Sequence, residues 1–158
     1  MTRILLLVLA FFGLPLCAEE YEFKGKHFVA SYLDCDPDAL GNVDRLIQAM
    51  DAAVNASGAT ILAKEYHVFD PNGLTIVYLL SESHASLHTY PEFGACFVDL
   101  FTCGDVCSHE QFDKLMKDYL KPKDTSERLF LRGHEVQDMT PLTTGSLAHS
   151  GETKTPKT

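Results

Sequence analysis

Tryptophan is absent from the 158 residues, and basic side chains are in the minority. Thirteen lysines and arginines face 22 aspartates and glutamates, a formal charge of −9 with histidine neutral. So acidic a surface repels phosphate backbones, which argues against nucleic acid as a partner. It would mildly attract a small cation. Glycine (10) and proline (7) are too sparse for a collagen-like or proline-rich chain. Five cysteines are too few for a disulfide scaffold. No apolar run reaches the roughly 20 residues of a membrane span, and sequence repeats and low-complexity segments are missing. What is present, 46% hydrophobic and 22% charged residues, suits one globular domain with extensions.

The N-terminus has the layout of a secretory signal. Arg3 precedes the apolar run Ile4 to Leu16, and the small pair Cys17-Ala18 stands before Glu19-Glu20. Residues 1–18 are therefore expected to be a signal peptide or an anchor, making the protein exported or membrane-tethered; it is cytoplasmic if the signal is not used. Leu16 occupies a position where a small residue is preferred, so the cleavage site is imperfect. In an oxidising compartment the remaining cysteines, Cys35, Cys96, Cys103 and Cys107, tend to pair, and three full pairings are open.

The rest reads as strand, helix, strand, strand, loop, strand, helix, strand. Lys26 to Cys35 alternates and is rich in β-formers. Asp36-Pro37-Asp38 opens a helix with Leu40, Val43, Ile47, Met50 and Val54 at helical spacing, ended by Gly58. Ala59 to Phe69 is a strand, Pro71-Asn72-Gly73 a turn, and Leu74 to Leu80 a buried strand. Ser81 to Glu92 reads as a polar loop and Phe93 to Phe101 as a strand. A capping box at Ser108 and Gln111 opens a helix to Leu120. Arg128 to Arg132 is the last strand. The pattern predicts an α+β fold, a two-layer α/β sandwich with two helices on one face of a mainly antiparallel sheet. Its other face would be covered by dimerisation. The domain is expected over 19–137, and 138–158, rich in Thr, Ser, Gly, Pro and Lys, is expected to be a disordered tail.

Chemistry concentrates between Ser81 and Asp105. His84 with His88 and Cys103 with Cys107 could furnish a tetrahedral metal centre. Ser83 or Cys103 with a histidine base could instead act as a nucleophile. A histidine-rich loop beside ordinary core cysteines remains the plain alternative.

Together these residues are more specific. The motifs Phe69-x-Pro71-x-Gly73-x-Thr75, Leu80-x-Glu82-Ser83-His84, His88-Thr89-Tyr90-Pro91-Glu92, Asp99 and Phe101-Thr102-Cys103-Gly104 resemble the bacterial and archaeal, pyruvoyl-dependent type of S-adenosylmethionine decarboxylase. Gly25-Lys26-His27 and Arg132-Gly133 also fit, and the resemblance spans about residues 23–134.

The resemblance implies a two-layer, dimerising fold and a zymogen that makes its own cofactor, with no metal. Ser83 would attack the carbonyl of Glu82, the chain would break between the two by autocatalytic cleavage, and a pyruvoyl group would remain at 83. That group forms a Schiff base with the substrate amine and serves as electron sink when CO2 leaves. His88 matches the processing histidine, an imidazole being suited to proton transfer near neutrality. Cys103 matches the proton donor of the decarboxylation. Glu92 matches the acid that binds the ribose hydroxyls. Tyr90 and Phe69 are aromatics for the adenine or the sulfonium, and Thr75 is a small hydroxyl residue that assists processing. The implied product is the aminopropyl donor of spermidine biosynthesis. The same motif would serve a pyruvoyl-dependent decarboxylase of arginine or ornithine, and an exported non-enzymatic homologue would keep the fold alone. An export signal is foreign to the family's usual cytosolic setting.

Overall fold

The computed structural model describes residues 23–140. The expected signal at 1–18 and most of the expected tail lie outside them. The elements are β1 (Gly25–Leu33), α1 (Pro37–Gly41), α2 (Val43–Ala56), β2 (Ile61–Phe69), β3 (Gly73–Leu80), β4 (Ser83–Tyr90), β5 (Ala95–Cys103), α3 (His109–Leu120), β6 (Asp124–Arg132) and β7 (Val136–Asp138). One sheet runs in the order β2-β3-β4-β5-β1-β6-β7. Every neighbouring pair is antiparallel. The expected α+β sandwich is present, with three helices rather than two.

The extra helix comes from a break at Asn42. Its backbone (φ −97°, ψ 87°) leaves helical geometry, and its side chain accepts the Arg45 N–H at 3.1 Å to cap α2. Such a cap is worth about 1 kcal/mol. Asp36 caps α1, with its carboxylate accepting the Asp38 N–H at 2.9 Å, and Ser108 caps α3.

The largest departure is Ser81 to Glu92, expected to be a loop and found to be mostly β4. Ala85, Leu87 and Thr89 are buried while His84, Ser86 and His88 point to the opposite face, a two-residue period. Its outward members are polar, so the segment lacks the apolar run by which the neighbouring β3 is recognised. Pro91–Phe93 is a single 3-10 turn, closed by Gly94 at φ +61°. There the Cys35 N–H donates to the Gly94 carbonyl at 2.9 Å. β6 starts at Asp124, four positions before the expected Arg128, because its pairing with β1 continues to Leu33. Beyond it, β7 adds an edge strand. The Leu129 N–H donates to Thr140 Oγ1 at 2.9 Å, so pairing extends past Asp138, where the tail was expected to begin.

The helices cover one face. Phe28, Ala30 and Tyr32 of β1, Leu74, Ile76, Tyr78 and Leu80 of β3, and Val98 and Leu100 of β5 pack against Leu46, Met50, Val54, Phe112, Met116 and Leu120. Each such side chain contributes about 1.5–3 kcal/mol on burial. Two polar ties anchor the helices: Tyr32 donates to Asp113 at 2.7 Å and Tyr78 to Asp51 at 2.8 Å. The opposite face carries Val77 (48% exposed), Leu79 (56%) and Phe97 (41%), large apolar groups without cover in the single chain. Among the described residues no helix is long and apolar enough to cross a membrane.

Candidate active site

The turn between β3 and β4 places Glu82 and Ser83 against the end of β5. Ser83 pairs with Thr102 across the β4–β5 ladder. The Cys103 N–H donates to the Glu82 carbonyl oxygen at 3.0 Å, polarising the bond that a Ser83 hydroxyl would attack. The Ser81 N–H donates to the Thr60 carbonyl at 3.0 Å, and the Thr60 N–H returns a bond to the Glu82 carboxylate at 2.9 Å. The turn is thus fixed on both sides of the Glu82–Ser83 peptide. Ser83 itself has φ +156°, a conformation that a residue with a Cβ rarely adopts. Cys103 is half-buried and borders a cleft of about 290 Å³ whose lining includes Phe23, Phe101 and Arg132.

The remaining expected residues gather at the other end of β4. Thr75 Oγ1 meets His88 Nδ1 at 2.5 Å. The His88 ring lies 6.1 Å from Phe69 and 4.4 Å from Tyr90 between centroids, and Tyr90 lies 5.7 Å from Phe97. Glu92 is exposed in the turn that follows. The chain therefore carries two half-sites. One holds Glu82, Ser83 and Cys103; the other holds Phe69, Thr75, His88, Tyr90 and Glu92. At about 3.3 Å per residue of strand, Ser83 and His88 stand roughly 17 Å apart. Within a single chain they do not meet.

Of three polar residues beside the first half-site, sequence reasoning gave His27 and Asp99 no role and offered His84 only as a metal ligand. His27 of β1, His84 of β4 and Asp99 of β5 bring one ring nitrogen each and a carboxylate oxygen within 4.8 Å of one another. Arg132 faces His27 Nδ1 at 3.3 Å. A guanidinium only donates, so Nδ1 accepts and Nε2 carries the proton. That Nε2 is buried without a hydrogen-bond partner and lies 3.8 Å from Asp99 Oδ1, beyond hydrogen-bond distance. Ser86 donates to Asp99 Oδ2 at 2.6 Å. Burial pushes the Asp99 carboxyl up, but Ser86 and the facing His27 and His84 rings lower it more, leaving it below the usual carboxylate value. The three groups thus form a compact polar cluster, tied to the sheet by the Ser86–Asp99 hydrogen bond. The zinc set of His84, His88, Cys103 and Cys107 is not assembled, since His84 and His88 belong to different half-sites. The motifs quoted for the resemblance contain His27, His84 and Asp99. Only the β1–β5 and β4–β5 registers reveal that they converge.

All four cysteines among the described residues are free thiols. Burial, with the charge of Asp34, pushes Cys35 up to about 11, and burial likewise raises Cys96 and Cys107.

A Glu82–Ser83 turn fixed on both sides, a polarised carbonyl and a neighbouring thiol on a two-layer sandwich form an arrangement on which nucleophilic chemistry at the Glu82 carbonyl can run. A family model described as S-adenosylmethionine decarboxylase matches residues 26–133. The chain is 39% identical over 109 residues to the S-adenosylmethionine decarboxylase proenzyme of Thermosipho africanus, covering 69% of this chain and 84% of that one. It is 41% identical over 98 residues to the proenzyme of the same description from Methanococcus aeolicus, covering 62% and 84%. The crystal structure of the adenosylmethionine decarboxylase from Aquifex aeolicus superposes with a TM-score of 0.64 at 33% identity, covering 69% of this chain and 90% of that one. The chain belongs to the S-adenosylmethionine decarboxylase family. Membership makes it a decarboxylase, and the amino-acid alternative is not favoured.

Proposed function

We propose that the chain is a proenzyme that cleaves itself between Glu82 and Ser83 and then decarboxylates S-adenosylmethionine, yielding the aminopropyl donor for spermidine synthesis. The observation that carries this is the Cys103 N–H on the Glu82 carbonyl beside a Ser83 of φ +156°. Attack of Ser83 Oγ on that carbonyl forms an ester and releases the backbone nitrogen as an amine. Loss of the Ser83 α-proton then expels the Glu82 carboxylate and opens the chain. The residue left at 83 hydrolyses, releasing ammonia, to a pyruvoyl group, which supplies an electrophilic carbonyl and an electron sink for the loss of CO2. The Cys103 thiol, at the rim of the adjoining cleft, returns a proton to the substrate carbon. Phe69 and Tyr90 offer ring faces to the adenine and the sulfonium, and Glu92 accepts the ribose hydroxyls. Thr75 holds His88 for proton transfer.

The second part of the proposal is a homodimer of cleaved protomers. Two uncovered sheet faces stacked in opposite directions would bury Val77, Leu79 and Phe97. They would also bring the His88 half-site of one copy to the Ser83 half-site of the other. The third is export or membrane tethering by residues 1–18, supported by the run Ile4 to Leu16 behind Arg3.

Intact mass spectrometry of protein from its native host tests the first and third parts. Two fragments meeting between 82 and 83, the second carrying a pyruvoyl mass and releasing CO2 from S-adenosylmethionine, is the expected outcome. A single uncleaved species overturns the first part. Residues 1–18 retained in a cytosolic fraction overturn the third.

A further inference from the structure

The self-cleavage proposed above needs a group that removes the Ser83 hydroxyl proton as Oγ attacks. His88 stands five residues along β4, and its Nδ1 is engaged by Thr75. The adjacent residue is better placed: His84 Nδ1 lies 3.3 Å from Ser83 Oγ. We infer that His84 is the base of the first processing step, and that Asp99, steadied by His27, is the residue that positions and charge-balances it.

The surroundings of His84 support this. Its ring is wedged between aromatic neighbours, 5.5 Å from Phe101 and 6.2 Å from His27 between centroids. The charged groups that face it are Asp99 from β5, His27 from β1 and, behind His27, Arg132 from β6. Asp99 is the anion of the set. Ser86 fixes one carboxylate oxygen, and His27 Nε2 lies 3.8 Å from the other. This carboxylate, within 4.8 Å of a His84 ring nitrogen, balances the charge that develops on the ring during the step. The role also gives a reason for a buried, unpartnered His27 Nε2 beside the carboxylate that balances His84.

The step balances without any further reactant. His84 Nδ1 takes the Oγ proton as the bond from Oγ to the Glu82 carbonyl carbon forms. The Cys103 N–H holds the resulting oxyanion. Collapse breaks the C–N bond, and the His84 proton passes to the departing Ser83 nitrogen. The product is an ester, which free hydroxylamine cleaves and an unreacted peptide resists.

That difference supplies the experiment. The full chain, its His84→Ala, His84→Gln and His88→Ala variants, and an uncleavable Ser83→Ala reference are made by cell-free synthesis and sampled over time. Each sample is run on denaturing gels with and without hydroxylamine, and each variant's melting temperature is compared with the reference. Loss of His84 is expected to slow the appearance of fragments by about 100-fold or more. Hydroxylamine should then release no fragment from the intact chain. Glutamine keeps the polar contact but cannot act as a base, so it carries the test should alanine lower the melting temperature. Asp99→Asn should slow ester formation by about ten-fold, whereas a purely structural role would change the melting temperature alone and leave the rate of ester formation unaffected. Three results overturn the inference: normal cleavage without His84, an intact His84 variant that hydroxylamine cuts at 82–83, or ester formation lost only in His88→Ala. A wild-type chain that never cleaves instead sinks the self-cleavage on which the inference rests.

Discussion

The backbone of Cys103 and the carbonyl of Glu82 are joined at 3.0 Å, so the residue expected to protonate the product also grips the bond to be broken. The two tasks use different atoms, an amide N–H and a thiol. Cys103→Ala should therefore still cleave itself within a few-fold of the normal rate, yet lose about 100-fold or more in CO2 release from S-adenosylmethionine. Fragment analysis beside a decarboxylation assay checks this. Loss of cleavage in the variant would mean that the thiol, not the amide, serves processing.

The separation of the half-sites predicts complementation between copies. Ser83→Ala keeps a sound His88 half-site, and His88→Ala keeps a sound Ser83. Each alone should stay intact, while co-expression should cleave the His88→Ala chain only. Tags of different mass on the two chains reveal which one is cut. If the mixture stays uncut, the stacked dimer fails.

Asp99 predicts an acid-side effect. Its carboxyl is held below the ordinary value of 3.8, so the folded state favours its charged form. That contribution to stability is fully present above about pH 4 and is lost as pH falls through the lower folded-state value. The difference in melting temperature between the wild type and Asp99→Asn should be largest at pH 6–7 and shrink towards pH 3. A gap that widened on acidification would refute the assignment.

Thiol reactivity should follow burial. Cys35 and Cys107 are 5% exposed and Cys96 is fully buried, and burial raises the pKa of all three. Among the four cysteines of the described residues, iodoacetamide at pH 8 should label Cys103 first and abolish decarboxylation before the other three react. Peptide mapping over time checks the order.

The elements that were legible in sequence were those whose burial shows as apolar pattern. β3 is a near-continuous apolar run because Leu74, Ile76, Tyr78 and Leu80 face the helices while Val77 and Leu79 lie on the uncovered sheet face. α3 announced itself through the Ser108 cap and the spacing of Phe112, Met116 and Leu120. β4 was hidden because the face it turns outward is chemical rather than apolar: His84, Ser86 and His88 look like loop composition. The motifs named Glu82, Ser83, His88 and Cys103 one by one but carried no distances. That Ser83 and His88 sit at opposite ends of one strand follows only once the segment between them is extended. Likewise His27 and Asp99, far apart in sequence, are brought together by the β1–β5 register.

The strand order has a consequence for the cleaved protein. A break after Glu82 leaves β1, β2 and β3 on one polypeptide and β4 to β7 on the other, yet β1 lies between β5 and β6, and β4 between β3 and β5. The two pieces are interlaced rather than laid side by side, and neither retains a continuous sheet without the other. Cleavage there would turn a folding problem within one molecule into an obligate association of two. Once denatured, a protein so cleaved would have to regain its shape by a concentration-dependent encounter that the newly made chain never faced. Folding first and cutting second is the order this topology rewards.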